Sequence, residues 1–182
     1  MKHIFLSRNI LFIILVFSVF SCTSDLDFEQ ANEFKAQPVF TANLAYVKGN
    51  APDFVENGIE IPFFSYEAEV DFFDSSFVND NLTSADLYFK IKNSINKAFT
   101  IEIDLKDDSD NIVKKIKIDV PASVDGSDVL PAPAKVTLDG TEARRTTLMV
   151  FSVTMLSGPP LTESSFGKIE LSSSITAYFD IK

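Results

Sequence analysis

The 182-residue chain has no Trp, one His, one Cys and only six Gly. The His is His3, and from Cys22 onward no His remains; Cys22 is the only thiol. These absences exclude a Ser-His-Asp or Cys-His nucleophile, a His general base, a His-containing zinc or haem site and an intrachain disulfide. The six glycines form no phosphate-cradling loop, and Gly-x-Ser-x-Gly is missing. Cations are scarce as well. Residues 1–21 hold Lys2, Arg8 and no acid, so 14 cations face 26 acids in the remaining 161 residues, a side-chain charge of −12. Arg144 and Arg145 are the only arginines in that part. Such a balance excludes a nucleic-acid track and opposes flat adsorption to an anionic leaflet; its plain consequence is solubility. No residue set singles out a cofactor, so none is expected.

What the chain does have begins at its N-terminus. Lys2 and Arg8 precede an apolar run from Ile10 to Phe20, short for a membrane span and suited to the central region of a signal peptide. The run ends in Val19-Phe20-Ser21-Cys22. An aliphatic residue three before a Cys, with a small residue just before it, resembles the lipobox of bacterial lipoproteins. That resemblance implies diacylglycerol on the Cys22 sulfur, cleavage before Cys22 and acylation of the new N-terminus, an anchor whose strength grows by about 0.8 kcal/mol per buried methylene. Thr23 follows the Cys where Asp would favour the inner membrane, so the resemblance implies the outer membrane. Asp25, Asp27 and Glu29 are similar to the surface-export signal of Bacteroidota lipoproteins, although Leu26 and Phe28 interrupt it. The periplasmic or surface side stays open. The expected division is a signal peptide over 1–21, a lipidated Cys and tether over 22–37, and one domain over 38–182, a length that can bury a full core.

Within that domain a two-residue period dominates. Phe40, Ala42, Leu44 and Tyr46 share one face, as do Tyr66, Ala68, Val70 and Phe72. Leu87, Phe89 and Ile91 form another such row, then Phe99 to Leu105, then Ile116 to Val120 before Pro121. With turns at 93–96 and 107–111, these last three segments predict a meander in which Glu102 faces Lys115 and lies diagonal to Lys90. Residues 122–134 read as a connection between sheets. Thr146–Leu156 reads as a central strand, apolar on both faces. Ile169 to Ile181 alternates without a break, which a helix would split. Seven or eight such strands, roughly, predict an all-β fold, an antiparallel two-layer sandwich of immunoglobulin-like type. The alternative is an up-and-down barrel enclosing a cavity, in which Phe-rich walls would hold an apolar ligand.

Two acidic loops, Asp107–Asn111 and Asp125–Asp128, offer oxygens to calcium, but an EF-hand register from Asp108 places Ile112 and Val113 where an oxygen ligand and Gly belong. Polar turns explain both, and no metal site is assigned. No pair of carboxylates stands out for glycosidase chemistry. Phenylalanines crowd residues 51–78: Phe54, Phe63, Phe64, Phe72, Phe73 and Phe77, among Asp53, Glu56, Asp71 and Asp74. One reading is a second core under a long connection. The other is an apolar docking patch with an acidic rim, using Phe63, Phe64, Phe72, Phe73 and Phe77. Adjacent Phe63-Phe64 and Phe72-Phe73 would point to opposite faces if both pairs lie in strands.

Together these features predict a non-enzymatic outer-membrane lipoprotein, held to the membrane through Cys22, whose sandwich binds a protein partner as an accessory subunit of an envelope complex. Its resemblance is to small Bacteroidota envelope lipoproteins, which implies accessory roles in uptake or type 9 secretion assemblies, including subunits that plug a translocon. A surface glycan-binding lipoprotein using Tyr88 or Tyr178 is the alternative from a different class.

Overall fold

A computed structural model describes residues 35–73 and 75–181. The expected signal peptide, the expected lipidation site at Cys22, most of the expected tether, and Asp74 lie outside the described residues. Ala36–Ile181 forms one compact body.

Its strands are β1 (Val39–Asn50), β2 (Val55–Glu56), β3 (Ile59–Glu60), β4 (Phe63–Glu69), β5 (Leu82–Asn93), β6 (Phe99–Lys106), β7 (Ile112–Val120), β8 (Ala134–Asp139), β9 (Leu148–Met155) and β10 (Lys168–Phe179). Two short helices, α1 (Ser76–Asn81) and α2 (Gly140–Arg145), and 3-10 turns at Ala51–Phe54 and Asp71–Phe73 complete the described elements. One four-stranded sheet has the order β1-β10-β5-β8 and the other β4-β9-β6-β7; β2 and β3 form a small ribbon. All pairings are antiparallel. The architecture is therefore an all-β, two-layer antiparallel sandwich. The barrel alternative is excluded, because the two sheets keep separate edges at β1, β8, β4 and β7.

The core follows the alternation. Leu87, Phe89 and Ile91 of β5 and Ile169, Leu171, Ile175, Ala177 and Phe179 of β10 meet Phe99, Ile101, Ile103 and Leu105 of β6 and Met149, Phe151 and Val153 of β9. Burying such side chains contributes roughly 1.5–3 kcal/mol each and is the main force holding the layers together. Lys and Glu side chains of β6 and β7 point outward, as expected of a half-solvated sheet. Residues 122–133 do cross between sheets, from β7 to β8, and β9 is a central strand.

The expected meander is corrected. β6 pairs with β7, but β5 lies in the opposite sheet. Glu102 consequently sits opposite Lys117, Lys115 opposite Asp104, and Lys90 is remote from both. The cause is Asn93, which is fully buried instead of making a surface turn. Its side-chain amide donates to the carbonyls of Lys97 and Pro121, 2.8 Å each, and its Oδ1 accepts from Ile95 N–H at 2.9 Å. Ile95 is buried too, so the chain dives through the end of the sandwich rather than folding back. Three hydrogen bonds satisfy a polar group whose burial would otherwise be costly.

A second correction concerns β1. Its pairing with β10 shifts register between Asn43 and Tyr46, a bulge that changes which face each residue takes. Ala42 and Val47 both point inward, while Tyr46 is exposed and its hydroxyl donates to Glu170. The single face Phe40-Ala42-Leu44-Tyr46 is thus broken after Leu44.

The two long sides of the sandwich are finished differently. On the β7/β8 side, α2 touches β8, β5 and β7. Asp139 caps it by accepting from Thr141 and Glu142 N–H at 2.8 Å, Glu142 returns a bond to Asp139 N–H, and Lys114 of β7 pairs with Glu142 at 3.0 Å. Gly140 is required there: a Cβ would lie 2.7 Å from the Leu82 carbonyl. On the opposite side β1 and β4 are both free edges, and no comparable helix spans them among the described residues.

Candidate partner-binding surface

β4 is built from Phe63-Phe64-Ser65-Tyr66-Glu67-Ala68-Glu69. In its register with β9, Phe64, Tyr66 and Ala68 lie opposite Val153, Phe151 and Met149, so they occupy the core-facing side; Phe63, Ser65, Glu67 and Glu69 face outward. Core-facing aromatics are normally buried, yet Phe64 is 46% and Tyr66 43% exposed. Across the layer, Phe40 of β1 sits beside the core residue Ala177 and is 50% exposed. The reason is topological. β1 and β4 end their sheets on the same side, and among the described residues neither has a neighbouring strand to cover the outermost inward-pointing rings.

The surface has two parts. At one end, Phe40 and Phe77 both lean on Phe179, with ring centroids 5.5 and 5.2 Å away. Towards the other, Tyr66 lies 6.3 Å from the Phe151 ring, and Val47, Phe54, Phe64, Phe151 and Leu171 line an apolar slot of about 30 Å³ between the sheets. A slot of that size accepts the tip of a side chain and holds no acyl chain. The carrier reading has no interior site there.

The phenylalanines singled out from the sequence separate into distinct roles. Phe63 and Phe64 are both exposed, on opposite faces of β4; Phe77 is exposed on α1. Phe72 is half-buried, edge-on to Phe73 at 5.4 Å. Phe73 is 2% exposed and belongs to the core, which corrects its assignment to the docking patch. The pair does not alternate across a strand, because Asp71–Phe73 is a 3-10 turn that carries Phe73 inward. Phe54 is also core and packs at a tilt against Phe99, with ring centroids 5.3 Å apart. Phe54 and Phe73 thus belong to the core, whereas Phe63, Phe64 and Phe77 are exposed. Alternation assigns Tyr66 and Phe40 to covered faces; their exposure depends on edge position, for which the local sequence carries no signal.

Glu67 and Glu69 form the rim, exposed and without an ion-pair partner among the described residues. A partly buried ion pair joins Lys97 to Glu60 of β3. Lys97 is 3% exposed, 2.8 Å from Glu60 Oε1, and also donates to the carbonyls of Pro159 and Gly158. Glu60 in turn accepts from Leu161 N–H at 2.6 Å. The Lys97 ammonium and then the Leu161 amide hold the Glu60 carboxyl below its ordinary value. This pair ties the β2/β3 ribbon to the loop after β9.

A second polar cluster lies on the outer face of the β1-β10-β5-β8 sheet. Asp86, buried on β5, accepts from Thr137 Oγ1 at 2.6 Å, Tyr178 OH at 2.9 Å and Lys135 Nζ at 2.9 Å. Burial alone would raise its pKa; the three donors outweigh that and lower it. Lys135 also lies over the Tyr88 ring, 5.5 Å from its centroid. Tyr88 and Tyr178 are thereby fastened to a structural charge cluster. The acidic loops are structural turns as well. Asp107 accepts from the Ser109 and Asn111 amides and from Arg145 at 2.8 Å, and Asp125 accepts from Ser127.

No protein-family model matches the chain, and no curated protein matches it. Among solved structures it is similar to the VP2 subviral particle of infectious bursal disease virus (12% identity, TM-score 0.44), covering 79% of this chain and 37% of that one. It is also similar to Desmodium yellow mottle tymovirus (9% identity, TM-score 0.35, 81% and 90% covered). A secreted-protein candidate from Parabacteroides distasonis shares 15% identity at TM-score 0.40, over 63% of this chain and 37% of that one. The chain thus spans just over a third of the VP2 protein it matches, and likenesses this distant transfer no activity.

Proposed function

We propose that the chain is a non-enzymatic, lipid-anchored protein of the outer membrane that binds a protein partner as an accessory subunit of an envelope complex. The anchor rests on the lipobox resemblance at Val19–Cys22. The binding rests on one observation: three core-facing aromatic residues, Phe40, Phe64 and Tyr66, stand about half exposed along the one long side of the sandwich that, among the described residues, no helix spans. Exposed apolar area of this kind, next to an acidic rim, has the composition of an interaction surface, where a buried aromatic centre supplies most of the affinity. Two free sheet edges left open would otherwise invite uncontrolled pairing, a liability that a dedicated partner removes.

The test is capture from the solubilised native envelope with the full lipidated chain, comparing wild type with a Phe64→Ala/Tyr66→Ala double variant. The proposal expects a defined partner retained by wild type and lost by the variant, with unchanged folding. An identical set of captured proteins for both chains would reject this surface as the binding site.

A further inference from the structure

The backbone of β4 narrows the chemistry of the partner. Pro62 O accepts from Met155 N–H and Val70 N–H donates to Thr147 O. These two bonds set the even-numbered residues of β4 in the hydrogen-bonded pairs with β9. The N–H and C=O groups of Phe63, Ser65, Glu67 and Glu69 therefore point away from β9, to the open edge. Each is a strong hydrogen-bonding group whose pairing would favour an added strand over an irregular ligand. The same edge presents inward aromatic rings at alternate residues, Phe64 and Tyr66, and outward carboxylates, Glu67 and Glu69.

We infer that β4 is extended by an added β-strand from the partner: a segment with apolar residues at alternate positions, directed over Phe64 and Tyr66 toward the slot beside Val47, and Lys or Arg at the intervening positions facing Glu67 and Glu69. This rests on the partner-binding reading and specifies its occupant. Opposite charges on neighbouring strands favour pairing, and like charges oppose it. That rule disfavours the chain's own alternating segment as the added strand, in this copy or a second, because Leu26 and Phe28 there are interleaved with Asp25, Asp27 and Glu29.

The full chain in detergent is titrated with two synthetic peptides of β4's length, one alternating Val and Lys, the other Val and Glu. Binding is followed by anisotropy and by amide hydrogen exchange. The Val-Lys peptide is expected to bind and to slow exchange at Ser65, Glu67 and Glu69, while the Val-Glu peptide does not bind. Ser65→Pro removes an edge amide without removing a bond to β9, so it should fold and weaken binding about tenfold or more. Should Ser65→Pro fail to fold, Glu67→Lys/Glu69→Lys carries the test, with the peptide preference inverted. Equal affinity for both peptides overturns strand addition. So does native partner capture that survives Ser65→Pro yet is lost in Phe64→Ala/Tyr66→Ala, an outcome that leaves the partner-binding reading standing. Protection of the same amides by self-association, without peptide, overturns the proposal in favour of a second copy.

Discussion

The Ser173 hydroxyl closes the bulge of β1 by accepting from Ala45 N–H at 3.0 Å and donating to Ala45 O at 3.3 Å. Ser173 is the one polar residue on the buried face of β10 between Ile169 and Phe179. It replaces the backbone partner that Ala45 loses when the register shifts, and the shift turns Val47, not Tyr46, toward the slot. Ser173→Ala leaves the Ala45 amide and carbonyl unpaired and should cost about 1–3 kcal/mol, measured as a lower urea midpoint with an unchanged slope.

Phe64 and Phe73, nine residues apart, should respond oppositely to truncation. Phe73→Ala removes a buried ring and should destabilise by about 3–5 kcal/mol. Phe64→Ala should cost under about 1 kcal/mol, as surface changes do. Thermal unfolding of the two variants checks the division of the phenylalanines; equal losses would place Phe64 in the core.

The Lys97–Glu60 pair gives the fold a defined acid sensitivity. Glu60 titrates lower in the folded chain than its ordinary 4.5 because Lys97 and the Leu161 amide favour its charged form. The stabilisation is therefore complete above the unfolded value, and it disappears as pH falls through the lower folded one. Glu60→Gln should flatten the acid limb of the stability profile. At neutral pH it should cost about 2 kcal/mol or more, since Lys97 remains buried without its counter-ion. Chemical denaturation between neutral and acid pH reads both effects.

On the proposed lipid anchor, Cys22→Ser should abolish incorporation of labelled fatty acid and release the chain from the membrane fraction, because that anchor would depend on thioether formation at the Cys22 sulfur. Absence of label from the wild-type chain, with the mature chain found free of the membrane, would show that the leader is an ordinary signal peptide.

Much of the core is legible in the sequence because alternation and burial share a cause: Ile169, Leu171, Ile175, Ala177 and Phe179 could not all face inward in any other regular structure. What escapes depends on distant partners. Nothing near Asn93 distinguishes a surface turn from a buried bracket, since one of the carbonyls it binds, that of Pro121, lies 28 residues away. The β1 bulge depends on Ser173, 128 residues from Ala45. The candidate surface is half visible: a density of Phe and acid marks the region. Which rings are covered depends on the 3-10 turn that carries Phe73 inward and on β1 and β4 being last in their sheets. That is why alternation alone misplaces Phe73 and passes over Tyr66.

Partner docking at the open β4 edge is tested most directly by site-specific photo-crosslinking in the native envelope. The reactive group is placed at Phe63, on the exposed face of β4, or at Tyr46, exposed on the other sheet. Docking at this edge predicts a single defined adduct from position 63 and none from position 46. An adduct from position 46 with none from 63, or no adduct from either, would contradict it.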